Sequence, residues 1–142
     1  MARRENNNNL ILLRDNLSDS ILGLHYRVPT TKERQSYINK RSVRQGNKYV
    51  DNSAGCRVEF GGRILAGLRE GDFERTMPDG TYRPISTNKD SADYFEGWKE
   101  WMTEHCADVL TALAVRVFEM PVTAGAEEDN SGTGAEEALE KE

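Results

Sequence analysis

No stretch of this chain approaches the roughly 20 consecutive apolar residues that a membrane span needs, and the apolar run within MARRENNNNLILLRDN is too short for a signal-peptide core. The expected location is the cytosol. Cysteine is scarce: Cys56 and Cys106 stand alone without CxxC spacing, which in a reducing compartment reads as two small core residues. Absent too are a Walker-type phosphate loop, HExxH and GxSxG. His105 and Cys106 are neighbours, but adjacent helical residues point about 100° apart and do not easily serve one tetrahedral metal site; His25 and Cys56 lie elsewhere. A non-enzyme is expected, with no catalytic residue, no metal and no cofactor.

What is present bounds the fold. The 142 residues suffice for one domain and are short for two. Apolar residues make up 37% and charged residues 30%, a lean core and a rich surface, and the two ends carry much of that bias. Residues 1–9 contain the run Asn6 to Asn9. Residues 121–142 are rich in Gly, Ala and Glu without aromatics, so burial cannot offset their ordering entropy. Both ends are expected to be unstructured, with residues 10–120 folded. From residue 120 onward there are seven acids and one lysine; removing that −6 from the whole-chain −5 leaves +1 over residues 1–119. The acidity belongs to the tail.

Within the folded part, residues 10–16 and 21–28 read as two strands joined by a Leu-Ser-Asp-Ser turn. Pro29 ends the second strand, and Thr30 with Glu33 has capping-box spacing, so a helix is expected from Thr31 to Arg44, closed by Gln45-Gly46-Asn47. Cys56, Phe60, Ile64 and Leu68 recur every four residues and predict a helix over 53–68. Its glycines, Gly55, Gly61, Gly62 and Gly67, cost roughly 1 kcal/mol each against alanine, which points to close backbone packing. Met-Pro-Asp-Gly-Thr-Tyr predicts a tight turn between extended pieces at 73–77 and 81–85. Phe95, Trp98, Met102, Cys106, Val109, Leu113 and Val117 keep helical period, with Asp90 or Ser91 as N-cap and one long helix or two. The expected fold is a mainly α single domain with a short N-terminal β-hairpin, formally α+β.

Two groups of residues are candidates for function. Residues 27–49 carry seven basic residues against one acid; Lys32, Arg34, Lys40, Arg41, Arg44 and Lys48 could meet phosphates and give salt-dependent affinity. Their spacing spreads them around a helix rather than along one stripe, and the acidic tail would compete for them, so a solvated face is the plainer reading. Trp98 and Trp101, with Tyr94 and Phe95, form the densest aromatic group. Aromatics at helical spacing are usually core, yet a shared Trp face can also anchor a partner.

The order of elements, two N-terminal strands, Tyr26-Arg-Val-Pro-Thr-Thr-Lys-Glu-Arg-Gln-Ser-Tyr37, glycine-broken and aromatic-rich helices and then an acidic tail, resembles the tail assembly chaperones of long-tailed bacteriophages and prophages. The matching residues are Arg27, Pro29, Thr30 and Glu33; the likeness spans residues 10–119 in outline and only this junction in residues. The acidic tail and the Met77-Pro78-Asp79-Gly80 insert are not part of the family pattern. The resemblance implies no catalysis and a protein that binds the tape-measure and tail-tube proteins while a tail is built, in the host cytoplasm. Arg27, Arg34, Lys40, Arg41, Arg44, Trp98 and Trp101 are then the expected partner-binding residues, with self-association left open. A small nucleic-acid-binding module using residues 31–48 as a basic helix is the alternative.

Overall fold

Asp15 stops the first apolar run by turning its carboxylate back onto the chain, accepting from the Leu17 amide at 3.0 Å and the Ser18 hydroxyl at 2.5 Å. Asp19, at φ +53, completes the reversal in the left-handed region that Asp tolerates. The result is the expected hairpin, β1 (Asn9–Asp15) and β2 (Ser20–Tyr26), paired antiparallel with Leu12 opposite Gly23. The structure, a computed structural model, describes residue 3 and residues 8–125. The unstructured ends expected at 1–9 and 121–142 lie mostly outside the described residues; within them, Asn9 already belongs to β1.

The capping box forms as the sequence predicts: Glu33 N donates to Thr30 Oγ1 and Thr30 N donates to Glu33 Oε1, both at 3.1 Å. It starts α1 (Thr31–Arg41). The helix does not reach Arg44. Ser42 is extended, and β3 (Ser42–Gln45) and β4 (Lys48–Asp51) form an antiparallel hairpin around Gly46-Asn47. Gly46 has φ +63; with glycine first and Asn47 at ordinary φ, this has the signature of a type II′ turn, whose twist matches paired strands. The glycine read as a helix cap is the tip of a ribbon.

α2 (Ser53–Ile64) is also shorter than expected, passing without a linker into β5 (Leu65–Leu68), which pairs with β2 to make the order β1-β2-β5. Phe60, Ile64 and Leu68 are all buried, so the four-residue spacing holds while the backbone changes from helix to strand. Gly61 is where α2 meets α4: a methyl there would run into the Leu110 carbonyl oxygen. Close packing thus explains that glycine, whereas Gly62 faces open space.

The second predicted hairpin is present as β6 (Glu74–Thr76) and β7 (Tyr82–Pro84), with Gly80 at φ +88 in its turn. Residues 85–97, expected to hold the start of a helix at Asp90 or Ser91, form a loop in which Asn88 Oδ1 accepts from Asp90 N and Ser91 Oγ from Asp93 N. Those side chains satisfy the backbone locally, as Ser, Asn and Asp do in turns. The helical part is α3 (Trp98–His105) and α4 (Ala107–Ala114), broken at Cys106, with a π-helical turn at Val115–Glu119.

The expectation of a mainly α fold is therefore corrected. Seven strands in three small sheets stand beside four α-helices among the described residues. Leu24, Ile64, Leu65, Ile85, Met102, Leu110 and Leu113 form the main core between sheet and helices, and Tyr37, Cys56 and Phe60 form a smaller one closed by Phe118.

Candidate functional site

Several of the basic residues expected at a binding face are taken up by the fold. Arg27 makes a two-pronged ion pair with Glu33, both bonds 2.6 Å, which holds the carboxylate of the capping box below its ordinary pKa. Arg34 donates to the Val117 carbonyl at 2.7 Å and lies 5.9 Å from the Phe118 ring centre, tying α1 to the π-helical turn. Lys40 is 3.8 Å from the Glu59 carboxylate and sits over Phe60. Arg41 lies over Tyr37, 5.7 Å from the ring centre, and its buried Nε has no hydrogen-bond partner among the described residues.

The two tryptophans are half-buried against the main core. Trp101 meets Phe73 edge-on at 6.4 Å and His105 at 5.4 Å, while Trp98 is overlain by Lys99. Packing is their evident role. Of the remaining titratable groups, Cys56 is buried with its thiol on the Tyr37 carbonyl side, at 3.6 Å, and burial pushes the Cys106 thiol up to about 11. Neither is a poised nucleophile, since the thiolate is the reactive form.

Arg44 is different, because it stands on the β3–β4 ribbon. All eight strand residues of that ribbon are exposed. Its base is well fixed: Asn52 N donates to the Arg41 carbonyl at 2.7 Å, and Asp51 Oδ1 accepts from Ser53 N at 2.9 Å, joining α1 to α2 beneath it. Above the base, register places Val43 opposite Val50, Arg44 opposite Tyr49, and Gln45 opposite Lys48. Side-chain alternation then puts Val43 and Val50 on one face and Arg44 and Tyr49 on the other.

On the Tyr49 face, a shallow depression of about 300 Å³ lies between the ribbon and the end of α1, lined by Ile38, Arg41, Tyr49 and Asp51 among others. Ile38 is 58% and Tyr49 69% exposed. An exposed isoleucine and tyrosine flanked by arginines is the chemistry of an interface anchor. The helix expected from Thr31 to Arg44 takes in Ile38 and Val43, and Tyr49 and Val50 fall outside it. The available signal was the alternation Val43, Gly46-Asn47, Tyr49-Val50, β-formers around a glycine-first turn.

A second apolar patch lies on the outer face of the N-terminal sheet, where Leu10, Leu12 and Ile21 are each 41–52% exposed. Among the described residues no helix is long and apolar enough to cross a membrane. No family model, no curated protein and no solved structure matches the chain. Its surface chemistry is what bears on its role.

Proposed function

We propose that the chain is a protein-binding assembly factor, acting as a tail assembly chaperone acts on its clients, and that it grips its partner with the β3–β4 ribbon. The observation that supports this reading is that every strand residue of the ribbon is exposed. A two-stranded hairpin is marginal in water by itself, and this one presents Val43, Val50 and Tyr49 to solvent, 40%, 42% and 69% exposed, outside both cores. A partner would supply the missing cover.

Charge indicates what the partner is like. Arg44 and Lys48 sit on the ribbon and Arg41 at its base, against Asp51 alone, so the complementary segment is acidic and apolar by turns. An amphipathic helical stretch of a long structural protein such as a tape-measure protein has that character, its apolar residue entering the depression beside Ile38 and Tyr49. The basic groups would chiefly raise the encounter rate. Co-expression tests the reading, which requires a long coiled-coil-like protein to be encoded beside this chain: that protein should be soluble with this chain and insoluble without it. Equal solubility in both cases would count against the chaperone role.

One observation favours nucleic acid as a second reading. The ribbon tip holds Arg44, Gln45, Asn47 and Lys48, side chains suited to base edges, and a two-stranded ribbon fits the major groove. Arg44→Glu with Lys48→Glu should then abolish a salt-sensitive duplex complex. No complex by the unaltered chain at about 50 mM salt would remove this reading.

A further inference from the structure

Three guanidinium groups line one cleft away from the ribbon. It measures about 360 Å³, and its lining includes Arg3, Arg34 and Arg116 beside Leu10, Val28 and Met120, without a single carboxylate. None of the three arginines has an acidic partner among the described residues. Arg34 is fixed by its bond to the Val117 carbonyl and is depressed in pKa by burial first and then by the charge of Arg3. The cleft therefore holds positive charge that nothing described neutralises, in partly apolar walls where a guanidinium prefers a two-pronged carboxylate partner.

Pro121 also lines the cleft. From there the chain continues through residue 125 into residues 126–142, which lie outside the described residues and carry seven acids and one lysine. Glu127 follows Pro121 by six positions, a reach of up to about 20 Å. We infer that the arginine cleft receives the chain's own acidic segment, residues 126–142, with Glu127, Glu128 and Asp129 the first carboxylates to engage it. Tethering is what favours this occupant over an acidic segment of another protein. At such linker lengths the local carboxylate concentration is on the order of millimolar, so a free competitor must match that level or bind more tightly. The cleft is thereby closed to weak acidic ligands and open to strong ones.

The test uses the full chain, labelled for ¹H–¹⁵N spectra, at about 20 mM and about 0.5 M salt, where screening separates the two states. In the unaltered protein the amides of residues 127–129 and the Arg34 Nε–H signal should move together between the two salts. Arg3→Ser with Arg116→Ser, and separately Glu127→Gln with Glu128→Gln and Asp129→Asn, should each show the high-salt positions already at low salt. Arg3 and Arg116 are exposed, so unchanged Leu24 and Leu113 methyl signals will certify an intact core. The inference is overturned if the segment's amides ignore both salt and the arginine substitutions. It is equally overturned if the acid-to-amide variant moves Arg44 instead, which would seat the segment on the ribbon. Titrated inorganic phosphate that shifts Arg34 alike in all variants, with the segment indifferent, would make the cleft a small-anion site and exclude the segment as its occupant.

Discussion

Tyr37 shows how single residues hold the two halves of the chain together. Its ring stacks on Phe118 at 4.6 Å and meets Phe60 edge-on at 5.4 Å, and its hydroxyl donates to Glu119, which also accepts from Arg57 Nε at 2.7 Å. Burial, followed by the bond to Glu119, pushes the phenol from 10.0 up to about 12. The neutral form is the one the fold favours, so this contribution is complete below pH 10 and is lost as pH rises from 10 to 12. Glu119 is shifted the other way, held below its ordinary value chiefly by Arg57; its contribution is present above the usual carboxylate range and disappears as pH falls through its lowered value. Tyr37→Phe should cost roughly 1.5–3 kcal/mol at neutral pH, the range for a hydrogen bond to a charged group, and should flatten the fall in stability between pH 10 and 12. Denaturant unfolding across that range measures both, and an unchanged alkaline slope would remove Tyr37 from the network. Gly61→Ala offers a second residue-level check. Its methyl would meet backbone rather than a yielding side chain, so a loss of roughly 1–3 kcal/mol is expected. Leu113→Ala should cost about 2–5 kcal/mol, because Leu113 is fully buried.

At the scale of elements, the ribbon is expected to be the least protected paired segment. None of its strand residues is buried and none belongs to a core, while α2 and α4 meet through the core. Amides of residues 43–50 should exchange with solvent far faster than those of α4, at a rate set by local opening rather than global unfolding; protection equal to α4 would mean that the ribbon is covered in the free protein. The same element shows what the sequence made legible. The capping box, the hairpin at β1–β2 and the Pro-Asp-Gly turn could be read because local groups determine them: a hydroxyl and carboxylate at fixed spacing, an Asp closing a strand, a glycine at positive φ. Ser42 to Asp51 was misread because Lys, Arg and Gln are acceptable in helices, so the β-forming Val43, Tyr49 and Val50 were outweighed. β5 was hidden for another reason: Ile64 and Leu68 stay buried across a change of backbone, and burial period alone cannot reveal that change. Trp98 and Trp101 were expected in the core or at a partner face, and both pack half-buried against the main core. The exposure of Ile38 and Tyr49 was not found, since exposure is decided by tertiary structure.

For the whole molecule, charge is distributed in a way that matters. The body is near neutral, the acids gather after residue 120, and the unpaired basic groups lie on the ribbon and in the arginine cleft. Contacts between exposed charges contribute about 0–1 kcal/mol, so removing residues 126–142 should leave the melting temperature within about 4 °C. A larger fall would show that the acidic segment supports the fold itself. The partner-binding proposal is tested most directly by altering the apolar residues of the ribbon and nothing else. Val43, Tyr49 and Val50 are 40%, 69% and 42% exposed and belong to neither core, so Tyr49→Ser with Val43→Asn and Val50→Asn should lower the melting temperature only slightly. In co-expression with a long, tape-measure-like structural protein from the same source, the unaltered chain should keep that protein soluble and co-purify with it, and the triple variant should do neither. Undiminished solubilisation by a folded triple variant would contradict a partner grip through β3–β4.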